Sequence, residues 1–327
     1  MGEMNDKDLV EFVAEVSGRL RGQIQQRIVG QETTVELMLV ALLSGGHCLI
    51  TGVPGLAKTL LVKSLAEVTE LAFSRVQFTP DLMPSDITGT EVIEEDRATG
   101  RRAFTFVRGP VFANLLLADE VNRTPPKTQG ALLQAMQELQ VTIMGKTYPL
   151  EPPFHVLATQ NPIEQEGTYP LPEALLDRFM LNIQMDYPSV DEERRIVRMS
   201  RTALTPLECV VSKSRLLDAQ ALVDRVPVGD HVAEFVVKLV RATRPGPSAP
   251  EYVNEYILWG AGPRAAQNLL VAAKARALLL GTPTPRIEDV AYIATAVLKH
   301  RLVMTFKAET ERVEPEEILK QLVKEVG

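Results

Sequence analysis

Gly52-Val53-Pro54-Gly55-Leu56-Ala57-Lys58-Thr59 is the stretch whose reading decides the fold. A strand-like run, His47 to Ile50, precedes it, and a helical run, Leu60 to Thr69, follows. Glycine-permitted turns between a strand and a helix aim backbone N–H groups and a helix N-terminus at phosphate oxygens. In such a loop Lys58 reaches the β- and γ-phosphates of a nucleoside triphosphate, and the Thr59 hydroxyl ligates Mg²⁺. The usual glycine before the lysine is Ala57 here, so the loop alone is an incomplete match. Leu115-Leu116-Leu117-Ala118-Asp119-Glu120 supplies the missing half, an apolar strand ending in an acid pair. Asp119 is expected to hold the ion's water shell, with Glu120 beside it as base for an attacking water. The two motifs together imply binding and hydrolysis of a nucleoside triphosphate, with residues Gly52 to Leu60 around the phosphates.

Composition bounds the remaining possibilities. With 327 residues the chain can build a full α/β core and one further domain. A formal net charge of −7 gives no global basic field, and an aromatic content of 5% argues against a base-stacking platform. Cys48 and Cys209 offer neither a disulfide framework nor zinc spacing, and His47, His155, His231 and His300 are equally scattered. The polar, acidic start Met1 to Asp8 does not read as a signal peptide, and no apolar run approaches the roughly 18 residues of a membrane span. A soluble cytoplasmic protein without a membrane partner is expected.

Leu9, Val13, Val16, Leu20, Ile24 and Ile28 recur at helical spacing, which predicts a helix over 8–28, followed by a second over 33–44. Short apolar runs at His47–Ile50, Phe73–Phe78, Asn114–Ala118, Phe154–Ala158 and Met180–Met185 alternate with helices, and all read as buried on both faces. Such runs joined by crossovers predict a parallel sheet covered by helices. After Tyr187-Pro188 the strand-like runs stop and helices follow, at 191–201, 212–225, 230–244, 264–280, 287–298 and 314–326. The expected division is therefore an α/β nucleotide-binding domain over 1–187 and a smaller all-α domain over 188–327. The irregular stretch Pro245 to Pro263 holds the one tryptophan, Trp259, read as an aromatic plug where a loop packs on the helices, with a partner contact as the alternative.

Two interruptions are not needed to build the sheet. Val92 to Phe106 flanks a charged turn, Glu94 to Arg102, with apolar arms. Val141 to Tyr148 reads as a hairpin with Gly145-Lys146 at its turn.

Four motifs in order carry a family resemblance: Gly52 to Thr59; Ala118-Asp119-Glu120-Val121-Asn122-Arg123-Thr124-Pro125-Pro126-Lys127; Ala158-Thr159-Gln160-Asn161-Pro162; and Leu171-Pro172-Glu173-Ala174-Leu175-Leu176-Asp177-Arg178-Phe179. Over residues 28 to 185 the chain closely resembles the MoxR-type AAA+ ATPases, and its last third resembles their lid domain more loosely. Ala57 is similar to what that family carries. The resemblance implies that Asn161 is the sensor-1 residue orienting water and γ-phosphate. It implies further that Arg178 is an arginine finger reaching a neighbour's nucleotide, that Arg264 in Gly262-Pro263-Arg264-Ala265 is sensor 2, and that Val29 and Gly30 border the adenine. Arg123 and Lys127 lie in a family segment without an assigned step. The two interruptions match the family's helix-2 insert and pre-sensor-1 hairpin, which face the pore of a ring.

The expected function is thus Mg²⁺-dependent ATP hydrolysis by a ring, in family terms a hexamer, that remodels or matures protein clients. The resemblance implies a separate partner bearing a von Willebrand factor A domain. Two alternatives share the nucleotide-site residues: a DNA motor, kept open by Arg101, Arg102 and Lys146 against the acidic balance, and a scaffold without turnover, disfavoured by Glu120, Asn161 and Arg178.

Overall fold

The computed structural model describes residues 5–95, 102–162, 167–199 and 205–327. The chain opens with α1 (Asp6–Gln25), capped by the Asn5 side chain accepting from Asp8 N–H at 2.9 Å. Leu9, Val13, Val16, Leu20 and Ile24 line its buried stripe. Burial of each such side chain contributes about 1.5–3 kcal/mol before the entropy of ordering is subtracted. The helix ends three residues before the expected Ile28, and Gln26 to Ile28 turn the chain toward α2 (Glu32–Leu43).

The nucleotide-loop region follows as β1 (Cys48–Thr51) and α3 (Lys58–Val68), then β2 (Phe73–Gln77), α4 (Pro84–Thr88), and the hairpin strands β3 (Gly89–Glu95) and β4 (Arg102–Arg108). Next come β5 (Leu115–Asp119), α5 (Pro126–Glu138), the second hairpin β6 (Gln140–Ile143) and β7 (Lys146–Pro149), β8 (His155–Gln160), α6 (Glu173–Leu176) and β9 (Leu181–Gln184). Five of these strands form one parallel sheet in the order β2-β5-β8-β1-β9. The expected α/β class and parallel sheet are both present. One expectation fails: β2, at the sheet edge, buries only Val76 and exposes Arg75 and Gln77, because no strand covers its outer side. The second hairpin turns one residue earlier than expected, at Met144-Gly145, both with positive φ (48° and 80°), so that Ile143 faces Lys146. Of the first charged turn, residues 96–101 lie outside the described residues.

Beyond β9 the chain forms α7 (Val190–Arg198), α8 (Lys213–Arg225), α9 (Asp230–Ala242), α10 (Glu251–Tyr256), β10 (Ile257–Trp259), α11 (Pro263–Leu279), α12 (Ile287–Leu298), β11 (Val303–Met304), α13 (Phe306–Glu311) and α14 (Pro315–Val326). Fully buried alanines at 265, 272, 273, 275 and 277 let α11 pack closely on α12, α9, α2, α1 and α8. The buried side chains of these helices are continuous with those of α1, α2 and α3. The strands do not stop at Tyr187: β10 and β11 pair antiparallel inside the helical part. Trp259 is not a plug but 69% exposed, since β10 carries it at a two-stranded surface ribbon. No helix among the described residues is long and apolar enough to cross a membrane.

Three histidines, His47 and His155 buried and His300 half-buried, fasten the sheet to its surroundings in neutral form. His47 Nδ1 accepts from Val156 N–H at 3.0 Å, and its Nε2–H faces Met136 O. His155 Nδ1–H donates to Gly46 O, while its Nε2 accepts from Gln220 on α8. His300 Nε2–H donates to Phe179 O at 3.0 Å. Burial lowers all three pKa values, that of His47 to about 3, where the neighbouring His155 adds to the effect. Below the usual value near 6.5 the unfolded chain therefore binds more protons than the native one. The stability these groups contribute is complete above that value and is lost as pH falls toward the folded pKa. Thermal melts should show the midpoint dropping between pH 7 and pH 5. His47→Asn, which keeps an acceptor for Val156 N–H, should be less stable at pH 7 but lose less on acidification; an unchanged slope would contradict the assignment.

Candidate nucleotide site

Register decides what meets at the site. Cys48 pairs with Leu157 and Leu117 pairs with the same Leu157, so β1, β8 and β5 run in step and end on one edge of the sheet. That edge carries the loop Gly52 to Thr59, the acid pair Asp119-Glu120, and Thr159-Gln160-Asn161. Gly52 N–H donates to Gln160 O at 3.3 Å, which ties the loop to the strand before Asn161, itself buried.

The loop geometry explains its residue choices. A Cβ on Gly52 would lie 2.8 Å from Met185 O, so glycine is required there by close approach. Val53, Pro54, Gly55 and Leu56 form the partly or fully exposed arch, with Gly55 at φ 89°. Ala57 caps α3 in the left-handed region at φ 60°. Glycine would be unstrained there, which is why the motif usually has it; alanine bears the conformation at a cost of about 1–2 kcal/mol. Lys58, Thr59 and Leu60 then form the first turn of α3, whose N-terminus opens onto the loop. Lys58 Nζ donates to Gly52 O at 2.5 Å and curls over the arch. Partial burial lowers its pKa, opposed by the charges of Asp119 and Glu120.

Asp119 is held from three directions. Its Oδ1 accepts from the Thr159 hydroxyl at 2.6 Å; its Oδ2 lies 3.4 Å from Thr59 Oγ1 and accepts from Arg75 Nη2 at 2.7 Å and Nε at 3.1 Å. Glu120 adopts φ 58°, and its N–H donates to Thr159 Oγ1 at 2.8 Å. Its carboxylate accepts from Gln77 Nε2 at 2.9 Å and pairs with Arg123 Nε at 3.0 Å. The exposed faces of β2 thus have a purpose: Arg75 and Gln77 reach across to the acid pair. Sequence reasoning missed Thr159, Arg75 and Gln77, and left Arg123 unassigned. Thr159 stood inside a quoted motif, but its double role follows only from the β5–β8 register.

Val29 and Gly30 precede α2, beside the chain that follows β9. Gln31 Nε2 donates to Asp186 O at 2.9 Å, and a Cβ on Gly30, at φ 70°, would sit 2.7 Å from the Glu192 carboxyl carbon of α7. The segment Met185-Asp186 thus touches Gly52 through Met185 and Gln31 through Asp186.

The two predicted catalytic arginines stand elsewhere. Among the described residues neither Arg178 nor Arg264 makes an ion pair or hydrogen-bonded side-chain contact with the loop or the acid pair. Arg264, second residue of α11, instead pairs with Asp177 at 2.5 Å. Arg301, almost buried, takes the other Asp177 oxygen at 3.1 Å and donates to Phe179 O at 2.7 Å. Asp177 is thereby committed to residues of the helical part, and among the described residues Arg178 beside it is not paired with Asp177 or Glu173.

The residues fit a magnesium nucleotide. Hard oxygen donors Thr59 and Asp119 face each other beside the N-terminus of α3. This suits an ion that keeps most of its water and shares phosphate oxygens.

Known proteins agree with this geometry. Residues 47–181 match the family model of the ATPase family associated with various cellular activities (AAA), and residues 250–322 match the AAA lid domain. The chaperone MoxR1 of Mycobacterium tuberculosis is 45% identical over 308 residues, covering 93% of this chain and 80% of that protein. The protein YeaC of Bacillus subtilis is 40% identical over 94% of this chain and 93% of its own length. A crystal structure of a Cytophaga hutchinsonii protein classed as an ATPase superposes with a TM-score of 0.90 at 40% identity, covering 98% of this chain and 97% of that one.

Thr159→Val should leave two buried polar groups, Glu120 N–H and Asp119 Oδ1, without their shared partner, at about 1–3 kcal/mol each. The expected outcome is a lower melting midpoint with turnover falling more than nucleotide affinity. Unchanged turnover would show that Thr159 only fills space.

Proposed function

We propose that this chain, which belongs to the MoxR family of AAA+ ATPases, uses Mg²⁺-dependent ATP hydrolysis to remodel or mature protein clients as a ring. The observation that carries the reading is the shared edge where Lys58, Thr59, Asp119 and Glu120 converge, locked together by Thr159. Loop N–H groups and Lys58 bind the phosphates; Val29 and Gly30 border the base. Mg²⁺, when bound through Thr59 and Asp119, neutralises charge developing on the phosphates. Glu120 accepts the proton of the attacking water, and Asn161 orients that water.

The remaining charge stabilisation is assigned to a neighbouring copy. Arg178 and Arg264 share the Asp177 corner, away from their own phosphate loop, which supports a pair of arginines acting on the next subunit's nucleotide. The domain division follows the same logic, with residues 1–187 binding nucleotide and 188–327 forming the lid that carries Arg264. The two hairpins are the client-facing surface: Phe106 stacks on Tyr148 at 4.2 Å between centroids, Lys146 pairs with Glu91, and Ile93, Phe104 and Met144 stay exposed. The DNA-motor alternative loses support from these pairings. Lys146 is neutralised by Glu91 at 2.9 Å and Arg102 by Glu95 at 3.0 Å, while Arg101 lies outside the described residues. A separate partner with a von Willebrand factor A domain completes the proposal, on the strength of the family resemblance.

Lys58→Ala should abolish tight ATP binding, whereas Glu120→Gln should bind ATP and turn over about 10²- to 10⁴-fold more slowly. Arg178→Ala should retain binding and lose turnover, and mixing it with Lys58→Ala should restore part of it. Calorimetry with steady-state phosphate release checks all three. Equal loss of affinity in the first two variants, or a dead mixture of proteins that still co-assemble, would contradict the assigned roles.

A further inference from the structure

Three cations spaced three residues apart, Lys238 and Arg241 on α9 and Arg244 just beyond it, line a cleft of about 370 Å³ closed by the loop Pro245 to Pro250. Lys238 and Arg241 are exposed, and among the described residues neither takes part in an ion pair. The loop is fixed in place: Gly246 N–H donates to Asn254 Oδ1 at 2.8 Å, and Asn254 Nδ2 returns a bond to Gly246 O. Next to the cleft stands the apolar ribbon. Gly260, the residue after Trp259, packs on the backbone of Thr243 and Arg244, so closely that a Cβ there would lie 2.7 Å from Arg244 Cα. Leu258 and Trp259 on β10 are 56% and 69% exposed. Unpaired cations beside large exposed apolar side chains do not suit a plain solvated face, since each apolar group left in water forgoes its burial energy.

We propose that this cleft and ribbon dock an acidic segment of a partner polypeptide, its carboxylates on Lys238, Arg241 and Arg244 and an apolar side chain on Leu258 and Trp259. Charge complementarity favours carboxylates, and the apolar ribbon favours a polypeptide over a free small anion. A nucleic-acid backbone suits the surface less well. It presents a continuous row of phosphates and no aliphatic side chain to cover Leu258 and Trp259. The site goes beyond the proposed nucleotide chemistry, and it is wired toward it. Arg244 Nε donates to Ala261 O at 2.9 Å, and Ala261 N–H donates to Thr243 Oγ1 at 3.0 Å. An occupant that pulls on Arg244 thus pulls on Ala261, two residues ahead of α11 and three before Arg264, which, on the reading above, serves the nucleotide.

Anisotropy of a labelled oligoglutamate peptide ending in leucine tests the site on the full chain without nucleotide. Wild type should bind at low ionic strength, with affinity falling as salt rises. Lys238→Glu with Arg241→Glu should weaken binding about tenfold or more, the equivalent of at least about 1.4 kcal/mol. Trp259→Ala should weaken it several-fold while keeping the salt dependence, and both variants should keep the wild-type melting midpoint and ATP affinity. Failure of wild type to bind, or equal binding by the charge-reversed variant, overturns the proposal. Competition in which pyrophosphate or a single-stranded oligonucleotide displaces the peptide and binds more tightly through the same residues also overturns the polypeptide assignment. Because the readout needs no hydrolysis, it stands or falls separately from the nucleotide-site assignments.

Discussion

Parallel registration of β1, β8 and β5 is the constraint on which the rest depends. Each strand delivers a different chemical group at its carboxyl end, and a slip of one residue would turn every side chain to the opposite face. In register, Thr59, Asp119 and Thr159 come within hydrogen-bonding range although they lie 60 and 40 residues apart in sequence. The hydrophobic load of the strands, Leu115, Leu116, Leu117, Val156 and Leu157 among them, fixes this register far more strongly than the polar groups that benefit from it. Stability and chemistry are thus separated: apolar burial sets the frame, and polar bonds at its rim tune the site.

Those polar bonds are arranged so that little is left to chance. One hydroxyl, Thr159 Oγ1, donates to Asp119 and accepts from the Glu120 N–H, which aligns the acid pair and fixes Glu120 in a left-handed conformation that its backbone would otherwise avoid. From the open side Arg75 and Gln77 hold the carboxylates, and Arg75 Nη2 also donates to Gln77 Oε1 at 2.6 Å, so the two contacts form one network. Far from this edge, Asp177 joins Arg264 and Arg301 of the helical part to the segment carrying Arg178. One network therefore aligns the acid pair, and another joins the helical part to the end of the sheet domain.

Much of this was legible in the sequence. The loop, the acid pair and the five core strands could be read because glycine turns and buried apolar runs are local signals. Boundaries moved by one to three residues where caps, such as Asn5 and Ser212, set the ends of helices. Long-range pairing was hidden. Nothing local in Phe73–Gln77 says that Arg75 and Gln77 face the acid pair across the neighbouring strand, and nothing in Gly262-Pro263-Arg264 says that the arginine meets Asp177 and not its own phosphate loop. Trp259 misled for the same reason: a lone tryptophan usually signals burial, but β10 turns Ile257 into the core and leaves Leu258 and Trp259 outside.

The central claim is that the nucleotide chemistry is laid out on one subunit's sheet edge and completed by Arg178 and Arg264 of a neighbour. ATP turnover per subunit, measured across a dilution series alongside mass photometry on the same samples, tests it most directly. The account predicts that turnover per subunit rises with the fraction of chain in the assembled ring and is nearly absent from isolated monomers. Full turnover in a population shown to be monomeric would contradict it.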